Sequence, residues 1–517
     1  MRRIPRWHVP AVMLAALALT LLAPQSGVAQ SANTGKWISV VLPAEPEFID
    51  PCYSSRGTVG RVNKYNVVEP LIAKDATNNT LKPRLATSWE RIDADNWRIK
   101  LREGVVFHDG TPFNSAAAKA SIDRNWSKPL SCGDRSKYFS DVALEVSTPD
   151  AYTLQIKTSL PDSILPMRLS GLMIGAPSLS VEKVLPAGAG PVGTGPFVHE
   201  SWQAGQQIAF KRNDKYWGPK PQAEGVRYTW RNESAVRASM VTIGEADIAH
   251  TISALDATDP KMDFSYLNSE TTFLRLDMEK APMSDRRVRL AMNLALDIGA
   301  MPGTLLPKAV IRSTQMVFPS IPGHNHELDK RAYRYDPAKA KQLLAEAKAD
   351  GVPVEAEMLF VSNPASFPNA AEVAEAFVVM WKAVGLSVKL LVVESGQYQE
   401  FQQKPYKESR QPTLLQSSHD NNNGDPVFSV RSKYGCDGST STYCNPDFDK
   451  DVAKVTGLSG ADRTKGWEEI FRYLYEEAVP SVMLYHMVGF TRVNPRISYV
   501  PDASTNGEMH IEDVTFK

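Results

Sequence analysis

The polar run Ser417-Ser418-His419-Asp420-Asn421-Asn422-Asn423-Gly424-Asp425-Pro426 gathers hydroxyls, an imidazole, two carboxylates and three amides into one short segment. It follows Thr413–Gln416, TLLQ, which reads as a strand. Polar groups at the end of a parallel strand are where an α/β sheet presents donors and acceptors to a ligand. The competing reading is a surface loop of turn formers. A second cluster is Cys52-Tyr53-Ser54-Ser55. Tyr53 can stack or hydrogen-bond, and Ser54 and Ser55 supply neutral donors and acceptors; ordinary packing is the competing role for Tyr53.

Other motifs point away from chemistry. The glycine-rich GPVGTGPF, residues 190–197, has neither the GK[ST] ending of a P-loop nor the GxGxxG spacing, so a structural turn is expected. His324-Asn325-His326 resembles a metal fragment, but two histidines on opposite sides of an extended segment do not share one ion, and no metal is expected. No GxSxG elbow and no HExxH helix is present, which disfavours a periplasmic hydrolase. Four cysteines, Cys52, Cys132, Cys436 and Cys444, can pair in three ways. Cys436 and Cys444 are close enough to staple the loop between them, leaving Cys52 with Cys132; a zinc site lacks CxxC spacing and a histidine pair.

The elements that must position these residues fit a large globular protein. With 517 residues, at least two lobes are expected. The composition is 43% hydrophobic and 22% charged, with no net charge. Residues 1–29 hold three of the 58 bases and no acid, so the remainder carries 55 bases against 58 acids. That balance excludes the basic excess of a nucleic-acid binder. Arg2, Arg3 and Arg6, the apolar run Ala11 to Ala23 and the small residues Gly27-Val28-Ala29 form an export signal. The apolar run falls short of the roughly 20 residues of a membrane helix. With no cysteine before Cys52, a lipid anchor is not expected, and the mature chain begins near Gln30, outside the cytoplasm.

In Asn96–Leu101, Trp97, Ile99 and Leu101 alternate with charged residues, the pattern of a half-buried strand. Val105-Val106-Phe107 and the turn His108-Asp109-Gly110-Thr111-Pro112 follow. Asn114 or Ser115 then caps a helix with Ala118, Ile122 and Trp126 on one face. Further strands are expected at Trp37–Leu42, Thr153–Lys157, Gln207–Lys211, Val226–Trp230, from Phe273, at Glu357–Val361 and at Leu386–Val393. Helices are expected at Val59–Leu71, Ser234–Thr242, Ser284–Ala300, from Asp336-Pro337 and at Ala370–Val384. Strand–helix–strand order in the second half argues for an α/β lobe with a largely parallel sheet.

Taken together, SWE…W…KLR.GV.FHDGTPF, Ile49-Asp50-Pro51, Val68-Glu69-Pro70-Leu71, residues 192–197, Arg212-Asn213, Asp285-Arg286-Arg287-Val288-Arg289, Tyr335-Asp336-Pro337 and Gly424-Asp425-Pro426 resemble the solute-binding proteins of peptide/opine/nickel ABC transporters. The resemblance implies a two-lobed α/β binding-protein fold with an extra subdomain in lobe I and a hinged ligand cleft. Lobe I would span 30–270, with the subdomain at about 75–190, lobe II 271–487, and 488–517 would return to lobe I. The implied partners are a peptide or small-molecule solute and an inner-membrane ABC permease, with a periplasmic monomer, no cofactor and no nucleic acid. The expected ligand site joins Tyr53, Ser54 and Ser55 to Ser417, His419, Asp420, Asn421, Asn422, Asn423 and Asp425.

Two departures bear on the solute. In similar oligopeptide- and dipeptide-binding proteins, an acid two residues before the loop glycine pairs with the peptide ammonium. Here that place is Asn422, and Asp420 substitutes only if the loop is shifted. At Val361–Asn369, dipeptide binders carry an arginine for the ligand carboxylate, and none is present here. An unpaired buried charge is costly, so an opine, oligosaccharide, organic acid or metal chelate becomes a more credible alternative, while a peptide stays the default solute.

Overall fold

The computed structural model describes residues 35–364, 366–421 and 424–517. Asn422, Asn423 and the export signal lie outside them. One mixed sheet of eleven strands runs through the molecule. On one side it contains, in order, Phe197–Gln203, Gln207–Arg212, Gly225–Trp230, Trp37–Leu42 and Ile248–Ile252. Two long strands follow, Ser481–Val493 and Asp263–Arg275, and then Thr413–Asp420, Met358–Ser362 and Val388–Val392. Apolar residues on each half build separate cores. Ile38, Val40, Phe210 and Tyr228 belong to the first; Leu274, Phe360, Phe377 and Trp381 belong to the second. The protein is therefore a two-lobed α/β fold.

The long strands cross between the lobes, and their pairing is interrupted at the crossing. Leu267 faces Val488, but the next pair is Thr271 with His486. The extra residues around Asn268–Glu270 form an irregularity of the bulge type, and Ser269 takes a left-handed φ of 63°.

A separate four-stranded antiparallel sheet holds the alternating segment Asn96–Leu101. Trp97, Ile99 and Leu101 are buried there as their spacing predicts. Asn114 caps the helix Ser115–Asn125, its side chain accepting from Ala117 N–H at 3.0 Å. Both expected disulfides are formed, Cys52–Cys132 and Cys436–Cys444. The glycine-rich turn is a packing device: a Cβ on Gly193 would lie 2.1 Å from the Val67 carbonyl oxygen.

Several elements depart from expectation. The helix expected at Val59–Leu71 covers Gly57–Asn63 only. Beyond it, Asn66 Nδ2 donates to the Met509 carbonyl at 2.8 Å and its Oδ1 accepts from Ile511 N–H at 3.1 Å. Those bonds hold the chain against the C-terminal segment in place of another helical turn. The Ser284–Ala300 helix shortens to Arg286–Leu294 followed by a 3-10 turn at Ile298–Ala300. The strand expected from Phe273 starts at Asp263 and ends at Arg275, because its first half pairs with Phe490, Thr491 and Arg492. Only Met358–Ser362 with its two neighbours is parallel in the second lobe; the long strands add antiparallel pairing. The sheet is mixed, where a largely parallel one was expected. Among the described residues, no helix is long and apolar enough to cross a membrane.

Candidate functional site

The polar run begins as strand. Thr413–Asp420 continues through residues expected in a loop, because Ser417 to Asp420 pair antiparallel with Phe273 to Glu270. Its side chains are engaged within the lobe. Buried Ser417 Oγ lies 2.8 Å from the Tyr398 hydroxyl. His419 Nε2 lies 2.8 Å from Ser429 Oγ. Burial, with Lys433 adding to it, lowers the imidazole to about 3 and keeps it neutral. Asn421 donates through Nδ2 to Thr271 Oγ1 at 2.9 Å and accepts from Ser429 Oγ at 3.0 Å. Its N–H donates to the Ser269 carbonyl at 2.7 Å, inside the crossing. Asp425 caps the helix Pro426–Tyr434 by accepting from Val427 N–H, and Arg463 Nη2 reaches both its oxygens at 2.7 and 2.8 Å. Asp420 turns outward, and Lys137 Nζ of the other lobe meets it at 3.0 Å.

Tyr53, Ser54 and Ser55 stand behind that lysine. The Tyr53 hydroxyl donates to the Leu130 carbonyl at 2.7 Å, and its ring lies under the Arg56 guanidinium at 4.6 Å. Ser54 is fully buried and accepts from Asn63 Nδ2 at 3.3 Å. Ser55 N–H donates to Asp134 Oδ1 at 2.8 Å. Burial pushes the Asp134 carboxyl up to about 6 against these hydrogen bonds. Together with Cys52–Cys132, these contacts fix the helix Gly133–Tyr138, which carries Lys137.

Other contacts between the lobes come from residues that no sequence motif marks. Arg431 Nη1 meets Asp141 Oδ2 at 3.1 Å, and the Tyr138 and Phe428 rings meet edge to face at 6.2 Å. Asn79 Nδ2 donates to the Ser320 carbonyl at 3.2 Å. A Cβ on Gly424 would lie 2.9 Å from Asn79 Oδ1 and 3.0 Å from Lys74 Cδ. Gly424, with φ 76°, therefore lets the second lobe approach the hairpin Ile72–Lys74/Leu81–Pro83. Beside that contact lies a cavity of about 510 Å³, lined by Tyr65, Lys74, Arg84, Tyr499, Asp502, Glu508 and Glu512 among others. Lys64 Nζ stands 3.5 Å from Glu508. Although burial opposes ionisation, Lys64 and His510 hold the Glu508 carboxyl down at about 2. Buried lysines and acids of this kind have no local sequence signal, since only the fold brings them together. This cavity is lined by residues 65–84 and 498–513 only, with fixed charges and aromatic faces, and no residue of 271–487 lines it.

A two-lobed α/β fold with polar contacts concentrated at the strand crossing is the architecture of a ligand-capture protein. The chain belongs to the bacterial extracellular solute-binding proteins, family 5, whose model matches residues 80–441. It is 26% identical over 538 residues to the dipeptide-binding protein of Escherichia coli, covering 97% of this chain and 98% of that protein. It is 26% identical over 490 residues to heme-binding protein A of Haemophilus influenzae, with 87% of each covered. Among solved structures, HbpA2 from Haemophilus parasuis aligns with a TM-score of 0.81 at 20% identity, over 93% of this chain and all of that one. The protein is thus a solute-binding component of the ABC importer type.

Proposed function

We propose that this protein captures a small polar solute, a peptide by default, at the junction of its lobes in the periplasm and delivers it as a monomer to an inner-membrane permease. The observation that carries this reading is the Lys137–Asp420 pair at 3.0 Å, which joins side chains of both lobes beside the polar run. A solute that replaces such a contact makes lobe closure depend on its own presence. The lobe limits we propose are 30–270 with an insertion at about 75–190, 271–487, and 488–517. The shift of register between Leu267 and Thr271 supports them. Asp420, Asn422 and Asn423 are the proposed contacts from the second lobe, with His419 held within its own lobe, and Tyr53, Ser54 and Ser55 support the first-lobe face.

A non-peptide solute is the second reading. Asn422 replaces the acid that peptide-binding relatives resembling this chain use for an ammonium, and Lys137 already occupies Asp420. Both observations favour a neutral or anionic solute. Native mass spectrometry of protein from its own periplasm tests for a captured molecule, and a thermal-shift panel identifies its class. A ligand at 100 times its Kd adds about 2.7 kcal/mol. A rise in Tm with di- to pentapeptides supports the first reading; a rise only with a non-peptide overturns it in favour of the second. Asn422→Asp should gain affinity for amines, and Lys137→Met, which takes its cation away from Asp420, should do the same. Neither gain would be seen if the solute lies elsewhere.

A further inference from the structure

His324, His326 and Asp329 come together on the second lobe, where the chain turns into the short helix His326–Asp329, and one ligand atom from each lies within 4.8 Å of the others. An extended segment would send the two rings apart. Instead Asn325 holds a turn, its Oδ1 accepting from Leu328 N–H at 3.0 Å and its N–H donating to Gln315 Oε1 at 2.9 Å. The imidazole centroids consequently lie 4.8 Å apart.

The hydrogen bonds of buried His324 leave a requirement for positive charge. Its Nδ1 faces the Val317 carbonyl at 3.0 Å. A carbonyl oxygen only accepts, so Nδ1 carries the proton and the neutral ring turns its Nε2 lone pair the other way. There it meets Asp329 Oδ2 at 2.7 Å. Two lone pairs at that distance need a cation between them, either a proton or a metal ion. Gln315 Nε2 lies 3.3 Å from the same nitrogen but makes its shorter bond, 3.0 Å, to the Asn325 carbonyl. Among the described residues no lysine or arginine pairs with Asp329. Asp329 Oδ1 is oriented by Thr314 Oγ1 at 2.7 Å. Exposed His326 completes the group.

We propose that His324 Nε2, Asp329 and His326 bind one first-row divalent cation of the zinc, nickel or copper class. Two imidazoles and one carboxylate select such ions over magnesium or calcium, which prefer all-oxygen sites. Ligand atoms on a tetrahedral ion lie roughly 3.4 Å apart, given metal–nitrogen bonds of about 2.1 Å. Closing on the ion therefore takes a shift on the order of 1 Å, within reach of the exposed His326 side chain. The His324 Nδ1–carbonyl and Thr314–Asp329 bonds are the outer-shell supports that orient metal ligands. The neighbouring combination His510, Glu512 and Asp513 differs. There Arg84 Nη2 grips both Glu512 oxygens at 2.8 and 2.9 Å and already supplies the cation.

The test is calorimetric titration of the untagged, chelator-treated mature chain with ZnCl₂ and, separately, NiCl₂. One equivalent should bind, MgCl₂ should give no binding, and His326→Ala should lower the affinity at least tenfold with an unchanged melting temperature in the metal-free state. Thr314→Val should lower it by about tenfold, as outer-shell changes do. His326 is exposed, so its variant separates loss of the site from loss of the fold. Absence of binding to the wild-type chain, or equal affinity in His326→Ala, overturns the proposal.

Discussion

The stretch Ser417–Asn421 of the polar run and the helix Gly133–Tyr138 face each other across the lobe junction, and their sequences suggest opposite roles. The run is dense in donors and acceptors, yet Ser417, His419, Asn421 and Asp425 use them inside their own lobe. The helix, GDRSKY, carries no motif, yet it supplies both Lys137 and Tyr138 to the other lobe. Polar density in sequence therefore measures hydrogen-bonding demand as much as ligand-binding capacity. A buried strand end must satisfy its own groups first.

Three experiments test this contrast. The largest effect is expected from Asp425→Ala, which strips a helix cap and leaves the buried Arg463 guanidinium without its carboxylate. Removing one partner of a buried pair costs about 3 kcal/mol or more, read as a lower urea midpoint. A loss below about 1 kcal/mol would mean Asp425 is available for a ligand after all. A second experiment uses pH at the crossing. Burial, together with nearby Asp420, pushes Glu270 from 4.5 up to about 7. The folded state then holds a proton that the unfolded chain releases, so stability falls as pH rises from 4.5 through about 7. Glu270→Gln should flatten the fall of Tm across that window, and an unchanged slope would remove Glu270 from the account. The smallest effect belongs to Tyr53→Phe. Losing the bond to the Leu130 carbonyl should cost about 1 kcal/mol, with solute affinity nearly unchanged. A large affinity loss without a stability loss would instead place Tyr53 against the solute.

Much of the architecture is legible in local pattern. Trp37–Leu42 and Ser234–Thr242 have the expected bounds, and Asn114 caps its helix as its type and position suggest. These elements are set by periodicity and capping, which act within a few residues. The strand Thr413–Asp420 was legible only in its apolar half. Its polar half is held by pairing with Glu270–Phe273, some 150 residues away in sequence.

By itself, the sequence determined the class of the chain, its main elements and the absence of a charge excess suited to nucleic acid. Each rests on composition, short-range spacing or a motif order that survives without coordinates. Which cysteines pair was decided by the structure. Tertiary structure alone decided which polar groups are already satisfied, that Lys137 holds Asp420, and that His324 and His326 share one side of a turn. These outcomes depend on distances between segments far apart in the chain, and hydrogen-bonding and Coulomb energies depend on those distances, not on residue type alone.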